Sequence, residues 1–183
     1  MQHGLNTIET RQVKHIHYGT GSPYMDLKLR RGGALELVID PEPNLNTLCA
    51  ALETLHGRDL ATLSFAPEAG LVPSGQGGFQ FQYAPKLALL VAGRGAILRT
   101  TASLAASMGF ELHLASPDED DITSLAGLTP KSTHRMTTPN VPLKLPIDAD
   151  TAVLLLFHDH EWEHTLLINT VSVQPFFMGA LGR

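Results

Sequence analysis

Cysteine is almost missing from this chain. Its 183 residues contain one thiol, Cys49, which excludes an internal disulfide and suits a reducing, cytoplasmic compartment. Charge is also scarce, at 17% of residues with a formal net charge of -5. No basic cluster is longer than Arg30-Arg31, so a nucleic-acid partner is not expected. No apolar run reaches the length of a membrane span, and the opening MQHGLNTIETRQVKH is too polar for a secretory signal. Internal repeats and low-complexity tracts are absent too. The remaining composition, 43% hydrophobic, suffices for one large domain or two small ones.

Residues 87–116, LALLVAGRGAILRTTASLAASMGFELHLAS, organise the rest. Residues 87–92 form a continuous apolar run, as in a strand buried on both faces. Gly93-Arg94-Gly95 breaks it, and the period then becomes helical, with Ile97, Thr101, Leu104, Ala105 and Met108 on one face. Gly109 stands where a left-handed helix end is expected, and residues 110–115 are apolar again. This is a right-handed βαβ unit with a glycine turn able to cradle a phosphate: Gly93 for the tight turn, Gly95 for close backbone approach. The dinucleotide fingerprint is incomplete. Leu98 stands at its third glycine position, and Ala115-Ser116 replaces the acid that would hold a ribose.

Upstream, residues 25–29 and 35–39 are short strand candidates joined by a turn at Arg30-Arg31-Gly32-Gly33. Residues 45–56 have helical spacing, with Asn44 as N-cap and Cys49 on the apolar face as a small buried hydrophobe. Residues 60–65 and 79–83 are strand-like, and 66–78 reads as loop. A boundary near Ala84 divides a partial N-terminal α+β domain, 1–84, from a Rossmann-like, doubly wound parallel sheet, 85–183. Downstream, Asp118 to Asp121 is expected to be a solvated loop or a helix start rather than a metal site, and 127–146 to be loop. Residues 151–157, TAVLLLF, form a second buried strand, 162–173 a helix, and 176–178 a further strand.

In such a sheet, ligands bind outside the carboxyl ends of the strands where strand order reverses. Gly93-Arg94-Gly95, His158-Asp159-His160 and the Gly179 to Gly182 turn each follow a predicted strand and would line one crevice. These residues are the candidate ligand site; Asp159 also suits a helix N-cap. His160-Glu161-Trp162-Glu163-His164 matches H-E-x-x-H, but that chemistry needs a third ligand. Residues 165–183 contain no His, Asp, Glu or Cys, so no metal site is assigned. No nucleophile–base pair is apparent, so no catalytic residue is assigned either.

The runs LLVAGRGAILRTTASLAASMGF, LLLFHDHEWE and FFMGALG, in that order, resemble the xanthine dehydrogenase accessory protein (XdhC/CoxI) family, as does GSPYMDLKLRRGGALELVIDP near the N-terminus. The resemblance implies a chaperone that binds molybdenum cofactor (molybdopterin) and hands it to an apo-molybdoenzyme of the xanthine dehydrogenase type. A cysteine desulfurase as second partner and a homo-oligomer are further implications. Arg31 stands where the family usually has a cysteine, Arg94 and Leu98 depart from its G-A-G-H-V-G turn, and the family chain normally extends further at both ends. A truncated or diverged member is therefore expected. Two other classes stay open: an NAD(P)-dependent oxidoreductase, disfavoured by the missing ribose acid, and a degenerate, non-catalytic interaction protein.

Overall fold

The computed structural model describes residues 2–23, 33–139 and 145–181. The chain divides into two compact units, Met1–Pro85 and Lys86–Arg183.

The first unit opens with helix α1 (Gln2–Thr10) and strand β1 (Lys14–Tyr18), where the polar sequence announces neither element. β1 pairs antiparallel with β2 (Leu35–Ile39). Glu36 of β2 accepts from both His15 Nε2, at 2.6 Å, and His17 Nδ1. The predicted strand at 25–29 and most of its turn, including Arg31, lie outside the described residues. Helix α2 (Leu45–His56) is capped by Asn44, whose side chain accepts from the Thr47 N–H at 3.1 Å. Strand β3 (Ala61–Ala66) pairs with both β4 (Gly70–Val72) and β5 (Phe79–Tyr83). β4 falls in the stretch expected to be loop. The predicted buried face of α2 is corrected: Leu45 and Leu52 are exposed, and so is Cys49. The helix instead turns Thr47, Ala51 and Thr54 toward a cavity of about 610 Å³ beside β3.

The second unit is a parallel five-stranded sheet. Its elements run β6 (Ala88–Gly93), α3 (Gly95–Ser107), β7 (Glu111–Ser116), α4 (Glu119–Ser124), β8 (Ser132–Arg135), β9 (Thr151–Leu156), α5 (His160–Val171) and β10 (Phe177–Ala180). The strand order is β10-β9-β6-β7-β8, so the two most apolar runs are adjacent and central. Alternate residues of these strands feed two cores. Leu89, Val91, Leu112 and Leu114 pack with Leu98, Ala102 and Ala105 of α3. Leu90, Ala92, Val153 and Leu155 pack on the other face with Trp162 and Leu166 of α5. Helices on both faces make the sheet doubly wound.

Two readings change here. The buried stripe of α3 is Leu98, Ala102 and Ala105, while Ile97, Leu104 and Met108 are exposed. The stripe is rotated so that Leu98 and Ala102 join Ala105 against the sheet in place of Ile97, Leu104 and Met108. β8 lies inside the stretch expected to be loop. Its four polar residues pair only with β7 at the sheet edge, where backbone hydrogen bonds suffice without an apolar pattern.

Candidate functional site

β6 ends at Gly93, which stands opposite Leu156 near the end of β9. The turn at Arg94 and the segment starting at His158 therefore leave neighbouring strands, at the point where strand order reverses. The two glycines there do different work. A Cβ on Gly93 would meet the Leu156 carbonyl oxygen at 2.6 Å, so this glycine serves close strand packing rather than the tight turn expected. Gly95 has φ +68 and open space around it, so its requirement is conformational.

The N–H of Gly95, expected to cradle a phosphate, donates to Asp121 Oδ2 at 2.6 Å. Asp121 Oδ1 accepts from Arg99 Nη1 one turn along α3. Asp121 is 1% exposed, so the last acid of the run is buried rather than solvated, while the run does form a helix start. Asp118 caps α4 by accepting from the Asp120 N–H at 2.9 Å. The Arg94 side chain makes no cap bond to α3; its guanidinium lies 5.1 Å from the centre of the Trp162 ring. Trp162 in turn stacks on Phe157, with ring centres 6.2 Å apart. Arg94 therefore bridges the ends of β6 and α5 by a cation–π contact.

His158, Asp159 and His160 are all exposed on the β9 side. Asp159 is the N-cap of α5, accepting from the Glu161 N–H at 3.0 Å. The helix begins at His160, two residues earlier than the spacing suggests. His160 Nδ1 lies 3.6 Å from Glu163 Oε2, and the buried Glu163 Oε1 has no hydrogen-bond partner. Gly179 lies inside β10, paired with Leu154, so the glycine turn expected there is not formed at that residue. Gly182 is outside the described residues. Among the described residues, no group of three or more His, Cys, Asp or Glu could hold a metal ion.

A cleft of about 380 Å³ opens on the β7 side of the turn, lined by Arg94, Pro117, Asp118, Glu119, Asp120 and Arg135. Arg135 is paired with Glu119. Of the predicted site residues only Arg94 reaches this cleft; the histidines do not line it. Sequence reasoning missed Asp121, Arg99, Trp162 and Arg135. Trp162 had a visible signal in its position just after the H-D-H-E run. The others are brought to the turn by the fold. The larger cavity beside α2 has no ionisable side chain in its lining and offers no acid–base chemistry.

Comparison with known proteins agrees with this fold. The family model for the XdhC Rossmann domain matches residues 89–183. The molybdenum cofactor insertion chaperone PaoD of Escherichia coli (strain K12) is 31% identical over 187 residues, covering 97% of this chain and 52% of that protein. The chain thus spans about half the length of that relative. A solved structure from Bacillus halodurans, described as a xanthine dehydrogenase, matches with a TM-score of 0.72 over 99% of this chain and 65% of its own, at 15% identity. At that identity the likeness shows the fold. None of the described helices is long and apolar enough to cross a membrane.

Proposed function

The chain belongs to the XdhC family, and from that membership we propose that it carries molybdenum cofactor to an apo-molybdoenzyme of the xanthine dehydrogenase type, without catalysing a reaction itself. The observation that carries the reading is the switch point. Gly93 stands opposite Leu156, so the Arg94 turn and the His158 to His160 segment both leave the carboxyl end of a doubly wound sheet, from adjacent central strands. A relative of 31% identity named as a cofactor insertion chaperone supports the cargo.

The cargo is a pterin bearing a phosphate, so its site needs a cation and polar groups for the ring. Arg94 is positioned to give a charge-assisted bond to the phosphate. His158 and His160 are exposed and can donate or accept at the ring edge. Asp159 holds the first turn of α5 in place beneath them. The Gly95 N–H is committed to Asp121, so the phosphate contact falls to the Arg94 side chain. Delivery to a client, a cysteine desulfurase as second partner, a homo-oligomeric state and a cytoplasmic location complete the proposal.

The test is a titration of the purified protein with molybdenum cofactor, scored by pterin released from the isolated complex. Saturable binding that falls in both Arg94→Ala and Asp159→Ala supports the site. Tight binding that survives Gly95→Trp and Asp159→Ala places the cofactor elsewhere. A well-folded sample that binds no cofactor favours the degenerate, non-catalytic reading.

A further inference from the structure

The start of a helix after a glycine turn is a place for an anion, because free N–H groups and the helix dipole point at it. Here a carboxylate of the chain already stands in that place. Asp121 is 1% exposed, and its Oδ2 accepts the Gly95 N–H at 2.6 Å. Its Oδ1 is held by Arg99 from the same helix. The peptide that carries it is held as well: the Ser124 hydroxyl donates to the Asp121 carbonyl oxygen at 2.8 Å.

We propose that Asp121 is a built-in anion filling the phosphate place of the β6–α3 turn, and that it makes this crevice reject pyrophosphate-bearing dinucleotides of the NAD(H) class. This goes beyond the cofactor-carrier reading, which places one phosphate on the Arg94 side chain and not on the α3 N-terminus, and does not depend on it. A pyrophosphate laid over the turn would lose the Gly95 N–H to Asp121. Its charge would also come within about 3 Å of a buried carboxylate, where repulsion is far less screened than in water. In the lining of the adjoining cleft Asp118 and Asp120 add charge of the same sign, while Glu119 is paired with Arg135 and Arg99 offsets part of the Asp121 charge from the Oδ1 side. Arg94 makes no cap bond to α3 and its guanidinium lies over Trp162, so an anion that it held would lie to the side of the helix end rather than on it. Rejection of this kind works through a repulsive element rather than through missing contacts. A cap with a purely structural role makes the opposite prediction: its removal would cost stability and gain no ligand.

The experiment uses the whole chain and its single tryptophan, Trp162, as energy donor to NADH. Thermal shift with inorganic pyrophosphate is the second readout. The parent protein should give no saturable energy transfer and no melting shift. Asp121→Ser, which removes the carboxylate and leaves room, should bind NADH at least about tenfold more tightly than the parent. The isosteric Asp121→Asn serves the same purpose should the serine variant fail to fold. Saturable NADH binding by the parent, abolished by Gly95→Trp, would overturn the proposal. So would a folded Asp121 variant that gains no affinity. Hydrogen exchange on the parent decides the matter if neither variant folds: the Gly95 amide must exchange slowly without ligand, and fast exchange refutes the occupied cradle.

Discussion

A methyl group added at Gly93 would lie 2.6 Å from the Leu156 carbonyl oxygen and 2.8 Å from Leu156 Cβ. Both neighbours belong to a strand paired with β6 through six residues, so neither can swing aside. Relief requires β6 and β9 to part by roughly half an ångström, in an interior packed like an organic crystal. Overpacking of this kind costs about 1–3 kcal/mol. For a unit of about 100 residues, 2 kcal/mol lowers Tm by roughly 8–16 °C. Gly95→Ala is the control. Its Cβ meets nothing within 4 Å, and the only penalty is a left-handed φ of +68. That penalty is about 1 kcal/mol, or roughly half the loss in Tm. Differential scanning calorimetry of the two variants against the parent gives the ordering. A Gly93→Ala protein melting with the parent, or below it by less than Gly95→Ala, would refute the assignment of Gly93 to strand packing.

Asp159→Ala removes the N-cap of α5 and should cost about 1 kcal/mol, read as a lower Tm and faster exchange of the amides from Glu161 onward. Arg94→Ala removes the cation over Trp162 and should change the emission of that tryptophan while leaving the melting temperature nearly unchanged. Cys49 is exposed, so it should react with a thiol reagent in the native protein nearly as fast as in the unfolded chain; strong protection would contradict the orientation of α2. The His17–Glu36 pair should make the β1–β2 strand pair pH-dependent. The Glu36 hydrogen bond raises His17 above its ordinary 6.5, a contribution present at low pH and lost as pH rises through the raised value. The bond to His17 lowers Glu36 below its ordinary 4.5, a contribution present at higher pH and lost as pH falls through the lowered value. Amides of this strand pair should therefore be best protected between those two ordinary values, and His17→Ala should flatten the profile in hydrogen exchange.

The central strands could be read directly because their signal is local. Residues 88–93 and 151–156 are continuous apolar runs, and a strand buried on both faces needs nothing else. The turn between β6 and α3, the glycine after α3 and the cap at Asp159 were equally legible, since each depends on residues within one turn of chain. The candidate site was legible only as a location. The function of its groups was not, because contacts across long separations decide it. Gly93 is a packing glycine only because Leu156 crosses it. The Gly95 N–H is satisfied by a carboxylate 26 residues away. Arg94 is turned from the cap by a ring on another helix. β8 carries no apolar pattern and exists because β7 offers it an open edge. The stripes of α2 and α3 were misplaced for a related reason: hydrophobic period marks an amphipathic helix, but which of its residues meet the sheet is set by how the helix docks. Composition and period are properties of a segment, whereas the partner of a buried N–H, carboxylate or methyl group is a property of the whole packed unit.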